Sequence, residues 1–271
     1  MSTHSEIKRT VKKTISFPMR ALYYLGSKGI LTSENQKNIQ GLFNKHKNER
    51  CFIIGSGPSI NKMDLSLLKN EITFGHNAFF LISDKVGFLP NYYVVEDFLP
   101  AEDNADKLNS LKGTTKIFSH NLSYCLKPSE NTLYPFFDQT YSNPDSDKFP
   151  RFSNDASEVI YWGGTVVYMS IQLAFYMGFK QIYLIGIDLN YTVNNEIDNK
   201  NIIVSDKKDV NHFHHDYFGP GKRWHDPRTD RMQKSFNYAY DYLSKKRVVL
   251  KNATVGGHLK KIPRIYYKSL F

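Results

Sequence analysis

Short apolar runs that stop at a glycine or a polar residue recur along this chain, and helix-like stretches separate several of them. Cys51–Ile54 runs into the glycine-rich turn Gly55-Ser56-Gly57-Pro58-Ser59. Strands are expected over Glu71–Phe80, Asn91–Phe98, Thr115–Asn121, Gln181–Ile185 and 247–254. A helix is expected over 165–177, and another over Thr229–Lys246 with Thr229 as its cap and Met232, Phe236 and Tyr240 on one face. Such alternation, with continuous rather than every-other apolar positions in the strands, predicts an α/β chain with a mostly parallel, Rossmann-like sheet flanked by helices. At 271 residues and 41% hydrophobic, the chain can bury one large core.

The charge is unevenly placed. Residues 1–50 hold 10 Lys/Arg against 3 Asp/Glu, and 245–271 hold 8 basic residues and no acid. The net charge is +10, so the body between the tails is acidic overall. A nucleic-acid binder spreads its basic face over the folded body, so no nucleic-acid partner is expected. Basic tails suit an anionic membrane face and also suit plain solvation. In residues 6–30, Ile7, Val11 and Ile15 recur at helical spacing, with Pro18 as a break. This extension could lie in a membrane interface, pack on the domain, or pair with another subunit in a homo-oligomer. No apolar run is long enough to span a bilayer. With only Cys51 and Cys125 and no leader-like apolar region, the expected location is cytoplasmic, at the inner membrane face. The organisation read here is a basic amphipathic extension over 1–48, then a single catalytic domain over 49–271. Within it, 192–228 is a long polar stretch read as a lid.

Three places carry the chemistry. Gly55 and Gly57 let backbone N–H groups approach a ligand, and a helix starting at the turn would favour phosphate. The turn lacks both the Gly-Lys-Ser/Thr of a P-loop and the third glycine of a dinucleotide fingerprint, so a mononucleotide is expected. At strand ends, His76 with Asn77 and Glu96 with Asp97 fall where open α/β sheets put their ligand crevice; as neighbours on a strand, only one of the two acids should face it. Asn77 could read a ribose or base edge or simply turn the chain. The third place holds His212, His214, His215, Asp216, Lys222, Arg223 and His225. It reads as a metal site, as a solvated loop, or as a catalytic lid with a histidine base and Lys222 and Arg223 binding an anion.

Taken together, the Gly55–Ser59 turn, "MGFKQIYLIGID" (Met177–Asp188) and "HDPRTD" (His225–Asp230) resemble the bacterial lipooligosaccharide sialyltransferases, glycosyltransferase family 42. They also resemble the wider group of motility-associated flagellin-glycosylating proteins and MptE-like pterin pyrophosphokinases. The resemblance covers roughly 50–250. It implies a GT-A-variant fold in which Gly55, Ser56, Gly57, Pro58 and Ser59 form the nucleotide-phosphate turn and Asn77 contacts the CMP-sugar. Gly164 and Thr165 match a donor-contacting Thr-Ser-Gly element, and Asp188 lies beside the cytidine. His225 matches the general base. Of two phosphate-binding tyrosines, Tyr191 is the nearest match to the first, shifted by one, and Tyr217 could replace the second. Glu96 stands where the family has a second donor-side Asn, and Trp162 or Gly163 where it has an Arg.

The function implied is inverting, metal-independent transfer of an acidic, sialic-acid-like or Kdo-like sugar from a CMP-sugar to a glycan or lipid-linked oligosaccharide. No cofactor is expected beyond the CMP-sugar donor. Two alternatives stay open: an Mg²⁺- and ATP-dependent pterin pyrophosphokinase, with Glu96, Asp97 and Asp188 supplying acids, and a non-catalytic glycan-binding subunit at the membrane.

Overall fold

The computed structural model describes residues 3–141, 148–193 and 201–271. Two helices open it, α1 (Thr3–Ile15) and α2 (Phe17–Ser27), with the break at Ser16 and Pro18 in the first turn of α2. A short α3 (Glu34–Gln40) follows, capped by Ser33, whose Oγ accepts from Gln36 N at 3.1 Å. It lies in the stretch that reads from sequence as a polar connector.

The core unit starts with β1 (Arg50–Ile54) and β2 (Thr73–His76), then α4 (Phe80–Val86), β3 (Tyr92–Val95), α5 (Phe98–Asp103), α6 (Ala105–Ser110) and β4 (Thr115–Phe118). Short strands β5 (Thr132–Leu133), β6 (Phe137–Asp138) and β7 (Ile160–Tyr161) lead to α7 (Val166–Tyr176) and β8 (Gln181–Ile185). After these come β9 (Ile202–Val204), β10 (Arg223–His225), α8 (Thr229–Lys245) and β11 (Val249–Asn252). Seven strands form one parallel sheet in the order β11-β8-β1-β2-β3-β4-β5. The expected parallel α/β architecture is therefore observed. Both faces of the sheet are covered, which is why its strands read as unbroken apolar runs. Along β1, Cys51 and Ile53 enter one core with α7 and α8, while Phe52 and Ile54 enter the other with α4 and α5.

α7 is apolar all round because it is buried all round. Val167 through Ala174 are shielded, and the Gln172 amide is fully used. Its Oε1 accepts from Ser153 N and Tyr161 N, and its Nε2 donates to Tyr161 O. α8 instead turns Phe236, Ala239 and Leu243 inward.

Several boundaries differ from expectation. The strand predicted over 71–80 ends at His76, because Asn77 takes a left-handed φ of 46° and the chain turns into α4. The strand over 91–98 ends at Val95, because Asp97 caps α5 by accepting from Leu99 N at 3.0 Å. Only five-residue and four-residue 3-10 turns, Pro58–Lys62 and Leu65–Leu68, follow the Gly55–Ser59 turn, so no α-helix N-terminus faces the crevice there. Thr229 is the first residue of α8 rather than its cap.

Residues 194–200 of the expected lid lie outside the described residues, and 201–228 is not a loose polar flap. β9 and β10 pair antiparallel, and Phe213, Tyr217 and Trp224 are buried. The His212 ring stacks on Tyr217 at 4.2 Å, while Phe213 N donates to Ser56 O and Asn61 Nδ2 to Phe213 O. A Cβ built on Gly163 would come 2.2 Å from the ring of fully buried Tyr168. Gly163→Ala is therefore expected to cost about 1–3 kcal/mol of stability, read as a lowered urea midpoint with an unchanged slope.

Candidate active site

Strands β1 to β4 run outward from β1 in one direction, and β8 and β11 lie on its other side, so the order reverses between β1 and β8. Open α/β sheets bind ligands beyond the carboxyl ends of strands at such a point. A cavity of about 650 Å³ opens there, a size suited to a small ligand. It is lined by Gly55, Ser56 and Gly57 after β1, Asn77 after β2, Glu96 and Asp97 after β3, and Gly186 through Tyr191 after β8. Gly164 and Thr165 ahead of α7, Tyr217 and His225 also line it, as the sequence leads one to expect.

The glycines of the turn serve the packing first. A Cβ on Gly57 would stand 1.8 Å from Asp188 Oδ2, and one on Gly55 would stand 2.5 Å from Gly186 O. They let the ends of β1 and β8 close on each other, and Ser59 Oγ donates to the same Asp188 oxygen at 2.7 Å. Ser59 is thus buried against Asp188, and neither it nor Pro58 lines the cavity, contrary to the resemblance. Thr165 Oγ1 accepts from Val167 N at 3.4 Å as the cap of α7, and Gly164 ahead of it holds φ at 80°.

His225 stands in β10 at the cavity rim, its side chain about a third exposed. Its Nδ1 lies 2.9 Å from Asp97 Oδ2, so a carboxylate accepts from that nitrogen and puts the basic lone pair on Nε2. Phe98 meets the ring edge-on at 5.2 Å. The acid that orients the ring is Asp97, which the sequence marks only as one of two neighbouring acids competing to face the crevice. Both acids line the cavity, because the chain has left the strand before reaching them.

Among the described residues, Arg20 Nε, Asn77 Oδ1, Glu96 Oε2 and Tyr217 OH are buried polar atoms of cavity-lining side chains with no hydrogen-bond partner. Buried polar groups are normally paired, so these are positions where a ligand can supply the missing partner. Burial, with Asp97 adding to it, pushes the Glu96 carboxyl up to about 8. A carboxyl kept neutral near pH 7 offers one donor and one acceptor, as an amide does. Burial also pushes the Tyr217 hydroxyl up to about 12 and raises that of Tyr191. His76 is not part of the site. Its ring bridges Ile54 O and Ser170 Oγ in the core, and burial brings it down to about 4.

Lys222 and Arg223, expected to bind an anion, are held elsewhere. Lys222 Nζ donates to Asn104 Oδ1, while Arg223 pairs with Asp103 and Glu102 at the end of α5. Among the described residues, the Lys and Arg side chains that line the cavity are Lys13, Arg20, Arg228 and Arg231. Lys13 and Arg20 come from the N-terminal helices, whose place over the cavity no local pattern announces. Arg9 fixes them there with two hydrogen bonds to Glu102, at 2.6 and 2.7 Å. Lys13 lies over the Phe98 and Tyr124 rings. Among the described residues, the metal reading reduces to His214, His215 and Asp216, which bring ligand atoms within 4.8 Å of one another; none of them lines the cavity.

The raised Glu96 carboxyl carries a stability signature. The folded chain holds this proton more tightly than the unfolded one, so stability falls as pH rises from about 4.5 to about 8 and levels off above. Urea unfolding across that range should show the slope in the wild type and a flatter profile in Glu96→Gln; equal profiles would refute a buried, neutral carboxyl.

A search of the curated proteins finds no match. Among solved structures, the MAf glycosyltransferase from Magnetospirillum magneticum AMB-1 superposes with a TM-score of 0.53 at 17% identity, over 84% of this chain. The chain spans about a third (35%) of the length of that protein. The sialyltransferase CstII from Campylobacter jejuni, solved with cytidine-5'-monophosphate, gives a TM-score of 0.46 at 16% identity, over 81% of this chain and 85% of that one. The first likeness is one of fold. Residues 30–194, most of the chain and the stretch holding Gly55, Asn77, Glu96 and Asp188, match the family described as 6-hydroxymethylpterin diphosphokinase MptE-like, and the chain belongs to this MptE-like family.

Proposed function

We propose that the protein is an inverting glycosyltransferase that moves an acidic sugar from a CMP-sugar to a glycan or lipid-linked acceptor without a metal. The observation that carries the reading is the Asp97–His225 pair at the rim of a cavity onto which Asn77, Glu96 and Tyr217 each bring a buried polar atom without a hydrogen-bond partner among the described residues. In this scheme the acceptor hydroxyl gives its proton to His225 Nε2 as its oxygen attacks the anomeric carbon. The bond from that carbon to the phosphate oxygen breaks, and CMP leaves with the electron pair. Asp97 steadies the imidazolium that forms. Negative charge developing on the phosphate meets Lys13, Arg20 and Arg231, three of the cations on the cavity wall. Glu96, neutral by burial, takes the donor-and-acceptor part of an amide toward the donor. The reaction would take place at the inner face of the membrane, with the chain bound peripherally. No helix among the described residues is long and apolar enough to cross a bilayer.

Family membership favours a second reading, diphosphate transfer from ATP to a pterin. That chemistry draws on Mg²⁺ held by carboxylates and phosphates. The cavity acids suit it less well: Glu96 is held protonated, Asp97 serves His225 and the α5 cap, and Asp188 accepts from Ser59. Turnover that survives EDTA argues for glycosyl transfer, and turnover abolished by EDTA argues for the kinase.

His225→Ala is expected to lower transfer by roughly 10²–10⁴-fold while CMP affinity stays close to wild type. Asp97→Asn keeps a good helix cap but removes the charge, so kcat should fall with KM little changed. Wild-type turnover in His225→Ala contradicts the assignment.

A further inference from the structure

Surface helices ordinarily turn their apolar side to the protein and their charges to water. The first of the two N-terminal helices does the reverse, and the second leaves apolar side chains outward as well. The side of α1 facing the body carries Arg9, paired with Glu102, and Lys13, stacked over Phe98 and Tyr124. Its outer side carries Ile7, Val11 and Ile15, one helical turn apart and 58%, 51% and 74% exposed. α2 buries Tyr23, stacked on Tyr134, and continues the outer apolar face with Phe17, Met19 and Leu22. Nine of the eighteen large exposed hydrophobic residues among those described fall within residues 7–31. Scattered exposed apolar residues are ordinary, but seven of them gathered on two consecutive helices, with Ile30 and Leu31 just beyond, form a patch.

The charge around the patch identifies what covers it. Residues 1–31 contain six Lys/Arg and one acid, and Lys12 and Lys28 are exposed beside the apolar face. An exposed apolar stripe flanked by cations matches the surface of an anionic bilayer. We propose that the outer face of α1 and α2 inserts into an anionic lipid surface. The same two helices supply Lys13 and Arg20 to the cavity wall, so docking would hold the cavity against that surface, within reach of an acceptor borne by lipid. This last step rests on the transferase reading above; the lipid contact does not.

The test is co-sedimentation of the full chain with vesicles of phosphatidylcholine alone and of phosphatidylcholine with phosphatidylglycerol. Binding is expected to the anionic vesicles and to be at least about tenfold weaker to the neutral ones. The triple variant Val11→Gln/Ile15→Gln/Leu22→Gln changes only exposed positions, and its melting curve should match the wild type. It is expected to lose anionic-vesicle binding by about tenfold or more. Lys260→Glu/Lys261→Glu, in the C-terminal basic segment, should leave binding unchanged. Wild type that ignores both vesicles, or a triple variant that binds as wild type does, overturns the proposal. So does a wild-type oligomer that ignores vesicles and that the triple variant converts to monomer, because a second copy then covers the face. CMP titration without vesicles reads the cavity separately. Its failure would strike the transferase reading and leave the vesicle result standing.

Discussion

Glu102, near the end of α5, is where segments far apart in the sequence are tied together. It accepts two hydrogen bonds from Arg9 in α1, one from Arg223 in β10 and one from the Tyr124 hydroxyl. Arg223 also pairs with neighbouring Asp103. These side chains are 14–17% exposed, so the charges are largely desolvated. Removing one partner from a buried pair costs about 3–5 kcal/mol, because the other is left uncompensated. The consequence here is positional. Asp97 caps α5, β10 carries His225, and α1 carries Lys13, and Glu102 holds all three elements around one cavity.

The other constraint is the closure of β1 on β8. With no Cβ on Gly55 and Gly57, Gly186 and Asp188 come into contact with the turn, and Ser59 fastens the Asp188 carboxylate. The crevice at the reversal of strand order is therefore narrow and fixed on one side. Phe213 and Asn61 lock the 201–228 segment onto the same turn. What faces the ligand space is a rigid floor of backbone and small side chains, with polar atoms of Asn77, Glu96 and Tyr217 left to be paired.

How much of this is legible in the sequence depends on range. The strands and α7 declare themselves locally, since a buried strand must be apolar throughout and end where the chain turns. Asn77, Glu96 and Asp188 are readable because strand ends at a parallel sheet's carboxyl edge share one crevice, and Gly164 because a small-residue turn precedes α7. α5 has six residues, too few to show a helical period, so the sequence gives no sign that Asp97 caps it and faces His225. Lys222 and Arg223 looked like anion binders because their local surroundings are polar, while their partners lie about 120 residues away. Lys13 and Arg20 were invisible for the same reason: Arg9 and Glu102 are 93 positions apart. The 201–228 segment hid its packing because its buried groups are aromatic and spaced without period.

The central claim is that the cavity holds a cytidine nucleotide without a divalent cation. Titration calorimetry of CMP into the full chain in excess EDTA tests it most directly. The account predicts saturable one-to-one binding that ATP with Mg²⁺ fails to displace. No heat with CMP, together with binding of ATP only when Mg²⁺ is present, would contradict it.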